Sequence, residues 1–77
     1  MIYNRLALLR AEQGLSRHDL ASKVDVNYQT IGFIERGDYS PSLELAFKLA
    51  EVFAVELTTI FSNKPFEPLF ASSKEKR

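Results

Sequence analysis

An all-α fold of five short helices is what the sequence predicts, on three observations. Apolar residues recur at helical spacing from Ile2 to Phe61. Side chains suited to helix starts, Ser16, Asn27 and Ser42, stand immediately ahead of three of those runs. Gly14, Asp25 and Gly37 interrupt the runs where a chain must turn.

Taken in order, Ile2, Leu6 and Leu9 place helix one over residues 2–13, with Gly14 as its stop. Ser16 and Asp19 form a capping-box pair for a second helix over residues 17–24, whose buried stripe is Leu20, Ala21 and Val24. Asp25 tolerates a left-handed backbone, Val26 anchors the turn, and Asn27 caps a third helix with Ile31 and Ile34 inward, ending at Gly37. Residues 38–41 are turn chemistry. Ser42, Leu45, Ala46, Leu49, Ala50 and Phe53 give the strongest amphipathic pattern, the fourth helix. Leu57, Ile60 and Phe61 mark a short fifth helix that lacks a good cap, because Glu56 precedes it. Pro65 and Pro68 alternate with Phe66, Leu69 and Phe70 and favour extended chain. One domain over residues 1–70 and a disordered tail over 71–77 is the expected division.

Composition excludes several classes. With no cysteine, neither disulfides nor a thiolate zinc site can hold the fold, so apolar packing must, and 45% of residues are hydrophobic. No apolar run approaches the roughly 18 residues of a membrane span. The opening MIYNRLALLR lacks the apolar core and small-residue cleavage site of a secretion signal, so a soluble, cytoplasmic protein is expected. A single histidine, His18, without a glycine-rich phosphate loop or HExxH spacing argues against an enzyme, and no metal or cofactor is expected. His18 reads as solvent-facing or close to a phosphate. Ten basic and ten acidic residues cancel, so a nucleic-acid partner would have to be met by a local basic face.

The most specific spacing lies between Arg17 and Arg36. Small Ala21 lets helices two and three approach, Val26 fills the turn, and Ile31 with Ile34 pins the third helix so that its opposite face stays outside. This is a helix-turn-helix pattern over residues 17–36. The stretch LSRHDLASKVDVNYQTIGFIERGDYSPSLELAFKLAEVFAVELTTIF resembles the Cro/CI (XRE) family of bacterial and phage repressors. The shared features are Leu15-Ser16, Leu20-Ala21, Ile31, Ile34-Glu35 with Gly37, Pro41-Ser42-Leu43 and Ile60-Phe61. Two positions depart from the family pattern. Asp25 stands where the family commonly has glycine, and Gly32 lies inside the third helix, where it costs about 1 kcal/mol of propensity relative to alanine.

The resemblance implies a lambda-repressor-like DNA-binding domain in which the third helix enters the major groove and the second spans the backbone. Tyr28, Gln29, Gly32 and Phe33 match the base-facing positions. The Gln29 amide suits adenine, a pair worth roughly 1 to 3 kcal/mol of discrimination when both hydrogen bonds form, and Tyr28 and Phe33 suit the thymine methyl. Phe33 has an alternative, packing back on residues 38–41. Arg17, Asn27, Thr30, Arg36, Tyr39 and Ser40 stand near the ends of these helices as phosphate contacts. Arg10 and Glu35 match a structural ion pair of the family, the alternative being that Arg10 meets phosphate directly.

Family members bind near-palindromic operators as homodimers, so the resemblance implies a dimeric transcriptional repressor. Leu57, Ile60, Phe66, Leu69 and Phe70 supply apolar area for the interface. A small two-stranded terminal sheet, residues 2–4 with residues 65–69, is a further option that short relatives use, and intrachain packing of the tail is its alternative. A different class also fits the apolar tail: an antitoxin-like interaction module gripping a partner protein.

Overall fold

The computed structural model describes residues 1–67. The expectations for Leu69, Phe70, the tail over 71–77 and its capture of a partner protein lie outside the described residues. Along the chain run β1 (Tyr3–Asn4), α1 (Leu6–Glu12), α2 (Arg17–Val24), α3 (Tyr28–Glu35), α4 (Leu43–Phe53), α5 (Leu57–Ile60) and β2 (Phe61–Ser62). The fold is mostly helical, five helices with one small antiparallel sheet.

Local chemistry sets the helix boundaries. The Ser16 hydroxyl accepts from the Asp19 amide at 2.9 Å and the Asp19 carboxylate accepts from the Ser16 amide at 2.9 Å, a reciprocal capping box that opens α2. Asn27 accepts from the Gln29 amide at 2.7 Å and Ser42 from the Leu45 amide at 3.1 Å, starting α3 and α4. Asp25 closes α2 at φ 60°, as its tolerance of the left-handed region predicts. Ala54 closes α4 in the same region at φ 55°, which no residue preference announces. No side chain caps α5.

Two expectations need correction. Helix one begins at Leu6 rather than at Ile2, because the preceding residues have another partner. Tyr3 pairs with Ser62 and Asn4 with Phe61, and the Arg5 amide donates to the Ile60 carbonyl at 3.0 Å. Asn4 fixes the corner: its Oδ1 accepts from the Leu6 amide at 3.0 Å while its Nδ2 donates to the Ile34 carbonyl at 2.8 Å. The sheet therefore uses residues 61–62, not 65–69. Ile60 and Phe61 are anchored in the core, so the chain leaves α5 already extended beside β1.

The core gathers one stripe from each helix: Leu6 from α1, Leu20, Ala21 and Val24 from α2, Ile31 and Ile34 from α3, Leu45, Leu49 and Phe53 from α4, and Ile60 from α5. Fully burying each large member contributes about 1.5–3 kcal/mol. Ile60, expected at a dimer interface, is instead wholly enclosed by its own chain, because α5 is one turn long and must sink that side chain to hold β2. Phe66 is half-buried, its ring 4.2 Å from the Arg5 guanidinium, while Arg5 Nε donates to the Thr59 carbonyl at 2.7 Å.

The capping box carries a pH signature. Hydrogen bonds from the Ser16 amide, first, and the Ser16 hydroxyl hold the Asp19 carboxyl below the ordinary carboxylate range. A depressed folded-state value means that this stabilisation is complete above the ordinary aspartate pKa and is lost as pH falls through the lower, folded-state one. Ser16→Ala should cost about 1 kcal/mol in urea unfolding near neutral pH. Asp19→Asn should flatten the acid limb of the stability profile, which is checked by repeating the urea titrations stepwise into acid.

Candidate nucleic-acid interface

Burial divides α3 lengthwise. Ile31 is 0% and Ile34 1% exposed, so the residues across the helical wheel from them must face out. Tyr28, Gln29 and Phe33 do so: all three are exposed. Tyr28 does not stand alone, since the His18 imidazole of α2 stacks on its ring with centroids 4.0 Å apart and planes 24° from parallel. His18 thereby fixes the start of α3 against the start of α2, a role its position alone did not reveal. Phe33 lies at the edge of a groove lined also by Thr30, Asp38 and Tyr39, so its ring borders the following turn while remaining exposed.

Gly32 departs from expectation. It was expected to face a base directly, and it is buried. The cover consists of two guanidiniums: a Cβ placed on Gly32 would stand 3.2 Å from Arg36 Nη1 and 3.8 Å from Arg17 Cζ and Nη1. Arg36 reaches back along the helix over the preceding turn, the direction helical side chains take. Its Nε donates to Asp38 Oδ2 at 3.2 Å, and its guanidinium carbon is 5.2 Å from the Phe33 ring centroid.

Beneath this surface sits one buried carboxylate. The Glu35 side chain is 3% exposed and receives Arg10 Nε at 2.6 Å, Arg10 Nη2 at 3.3 Å and Arg17 Nε at 3.0 Å. Arg10 also donates through Nη1 to the Leu15 carbonyl at 3.0 Å, so it is a structural clamp between α1, the following loop and the end of α3. Arg10 is 19% and Arg17 45% exposed, so the first is spent inside the protein and the second still presents its outer edge to solvent. Two cations on one anion leave a local positive excess that the net charge of +0 conceals.

Of the remaining expected contacts, Asn27 spends its oxygen on the α3 cap, Thr30 is half-buried, and Tyr39 and Ser40 are exposed in the turn after α3. Tyr28, Gln29, Gly32, Phe33, Arg17 and Arg36 line one common cleft. Arg10, spent on Glu35 and Leu15, is not among its lining residues. Among the described residues no group of His, Cys, Asp and Glu is placed to hold a metal ion, and no helix is long and apolar enough to cross a membrane.

Comparison with known proteins agrees with this geometry. A family model described as helix-turn-helix matches residues 6–60. An uncharacterised HTH-type transcriptional regulator of Methanocaldococcus jannaschii is 50% identical over 58 residues, covering 75% of this chain and 88% of that protein. Among solved structures, a protein from Bacteroides fragilis superposes with a TM-score of 0.73 at 26% identity, covering 80% of this chain and all (100%) of the other. The restriction-modification controller protein C.AhdI from Aeromonas hydrophila superposes with a TM-score of 0.66 at 33% identity, covering 70% of this chain and 82% of its own.

The asymmetry around Glu35 is measurable. Arg10→Ala strips a buried carboxylate of its principal partner and should cost about 3 kcal/mol or more. Arg17→Ala leaves Glu35 paired with Arg10 and should cost under about 1 kcal/mol. Urea unfolding of the two variants should preserve that order.

Proposed function

The chain belongs to the helix-turn-helix family, of the Cro/CI (XRE) kind, and on that premise we propose that it represses transcription from the cytoplasm by binding a near-palindromic double-stranded DNA operator as a homodimer. The observation that carries the reading is the division of α3: two isoleucines sealed in the core and, opposite them, an exposed row of Tyr28, Gln29 and Phe33. An eight-residue helix supported in this way fits the major groove with side chains free to meet base edges. Gln29 is assigned to adenine, Tyr28 and Phe33 to thymine methyl groups. Arg17, Asn27, Thr30, Arg36, Tyr39 and Ser40 surround them with donors suited to phosphate.

Pairing of two copies is supported by an apolar surface away from α3. Leu43 and Phe47, one turn apart on α4, are 67% and 53% exposed. Beside them a groove is lined by Ile2, Ser40, Pro41, Leu43, Ala46, Leu57 and Phe61. A second copy of the chain is its proposed occupant, since one short helix reads only a few base pairs and two-fold pairing doubles the site. Leu57 thus keeps its assigned place at the interface, with Leu43 and Phe47 as its companions in place of Ile60.

Two outcomes follow. In selection from random duplexes, Gln29→Ala should relax preference at one base pair per half-site, whereas Arg17→Ala should weaken all sequences alike and lower the salt slope by about 1. Equal loss on specific and non-specific DNA in both variants would contradict the assignment. In sedimentation equilibrium Phe47→Glu should be folded and monomeric, and an unchanged dimer mass would remove α4 from the interface.

A further inference from the structure

The guanidinium pair over Gly32 has a geometry that phosphate contact alone does not require. Arg36 starts at the C-terminal end of α3, yet its side chain runs back over Gly32, into the cleft that Tyr28, Gln29 and Phe33 also line. Three contacts hold it there: Asp38 takes Nε, the Phe33 ring lies alongside, and the bare backbone of Gly32 forms the floor. Because the carboxylate takes Nε, the Nη1 and Nη2 edge is the part left for a ligand. Arg17 is also held through its Nε, which donates to Glu35, and its Nη1 lies 3.8 Å from a Cβ placed on Gly32.

We propose that Arg36 reads a guanine in the operator, that Gly32 is the clearance which lets it lie across the groove-facing surface, and that Arg17 secures the phosphate beside that base. The inference rests on the DNA-binding reading and reassigns Arg36 from backbone to base. A forked pair of N–H donors matches the O6 and N7 acceptors that guanine alone presents side by side in the major groove. With Nε of each guanidinium on a carboxylate, the outer N–H donors of the two suit neighbouring acceptors, which guanine and an adjacent phosphate supply. Gly32 then has a specific use. A Cβ there would crowd Arg36 Nη1 at 3.2 Å and touch Arg17 at 3.8 Å, and a longer side chain would displace the Arg36 guanidinium, so the propensity that glycine forfeits in a helix is exchanged for this seating.

The test is selection from a random duplex pool with the wild-type chain and with Arg36→Ala, Arg36→Lys and Gly32→Leu, alongside thermal unfolding of each. The wild-type consensus should contain an invariant guanine in each half-site. Arg36→Ala should lower preference for it about 5- to 150-fold. Gly32→Leu, with Arg36 intact, should lose preference at the same position while unfolding no earlier than wild type. Arg36→Lys should recover general affinity without the full guanine preference, because an ammonium lacks the fork. A consensus that Arg36→Ala leaves unchanged in every column, with affinity lowered uniformly and restored by Arg36→Lys, would return Arg36 to phosphate and overturn the inference alone. Absence of any wild-type consensus would overturn the DNA-sequence reading as well. Should Gly32→Leu unfold, the two Arg36 variants still decide between base and backbone.

Discussion

The complete burial of Ile31 and Ile34 is the constraint on which the rest of the molecule depends. These two side chains fix the rotation of α3 about its own axis, and through the helical period that rotation decides which residues are left outside. Small Ala21 on α2 permits the close approach, and both isoleucines belong to one buried cluster with Leu20, Val24 and Leu49. The outer row of Tyr28, Gln29 and Phe33 is thus a consequence of packing on the other side of the helix, not of any preference those residues have for solvent.

A polar layer finishes what the apolar core begins. Glu35 lies one residue beyond Ile34 and gathers Arg10 and Arg17 onto a nearly buried carboxylate, tying α1 and the first turn of α2 to the last turn of α3. Partner loss rather than pair formation is where such an arrangement exerts its effect, since an uncompensated charge in that position is costly. The same layer accounts for a basic surface on a chain whose charges sum to zero: acidic groups are used underneath or at the Nε atoms, and guanidinium edges are presented above.

Much of the fold was legible in the residues because it is written in local chemistry. Ser16 with Asp19, Asn27 and Ser42 mark three helix starts, and Asp25 marks the left-handed turn between α2 and α3. What escaped notice depends on partners distant in sequence. Ile2 keeps helical spacing with Leu6, yet residues 3–4 pair with residues 61–62, and the signal available was Asn4, a residue that favours turns and helix entrances. Ile60 looks equally suited to an interface or a core until α5 is seen to be a single turn. Within the site, the exposed row was readable from the period of α3, whereas the cover over Gly32 was not, because it is made by side chains from four and fifteen positions away. The His18–Tyr28 stack belongs to the same class, a contact between two helix starts that only their packing creates.

The central claim, that the face of α3 opposite Ile31 and Ile34 is the surface that meets DNA, is tested most directly by following backbone amide resonances of the labelled chain as a selected duplex is added. The account predicts perturbations concentrated at residues 16–18 and 27–40, with α4 amides around Leu49 and Ala50 little affected. Perturbations centred on Leu43, Phe47 and Leu57 with those of α3 unmoved would contradict it.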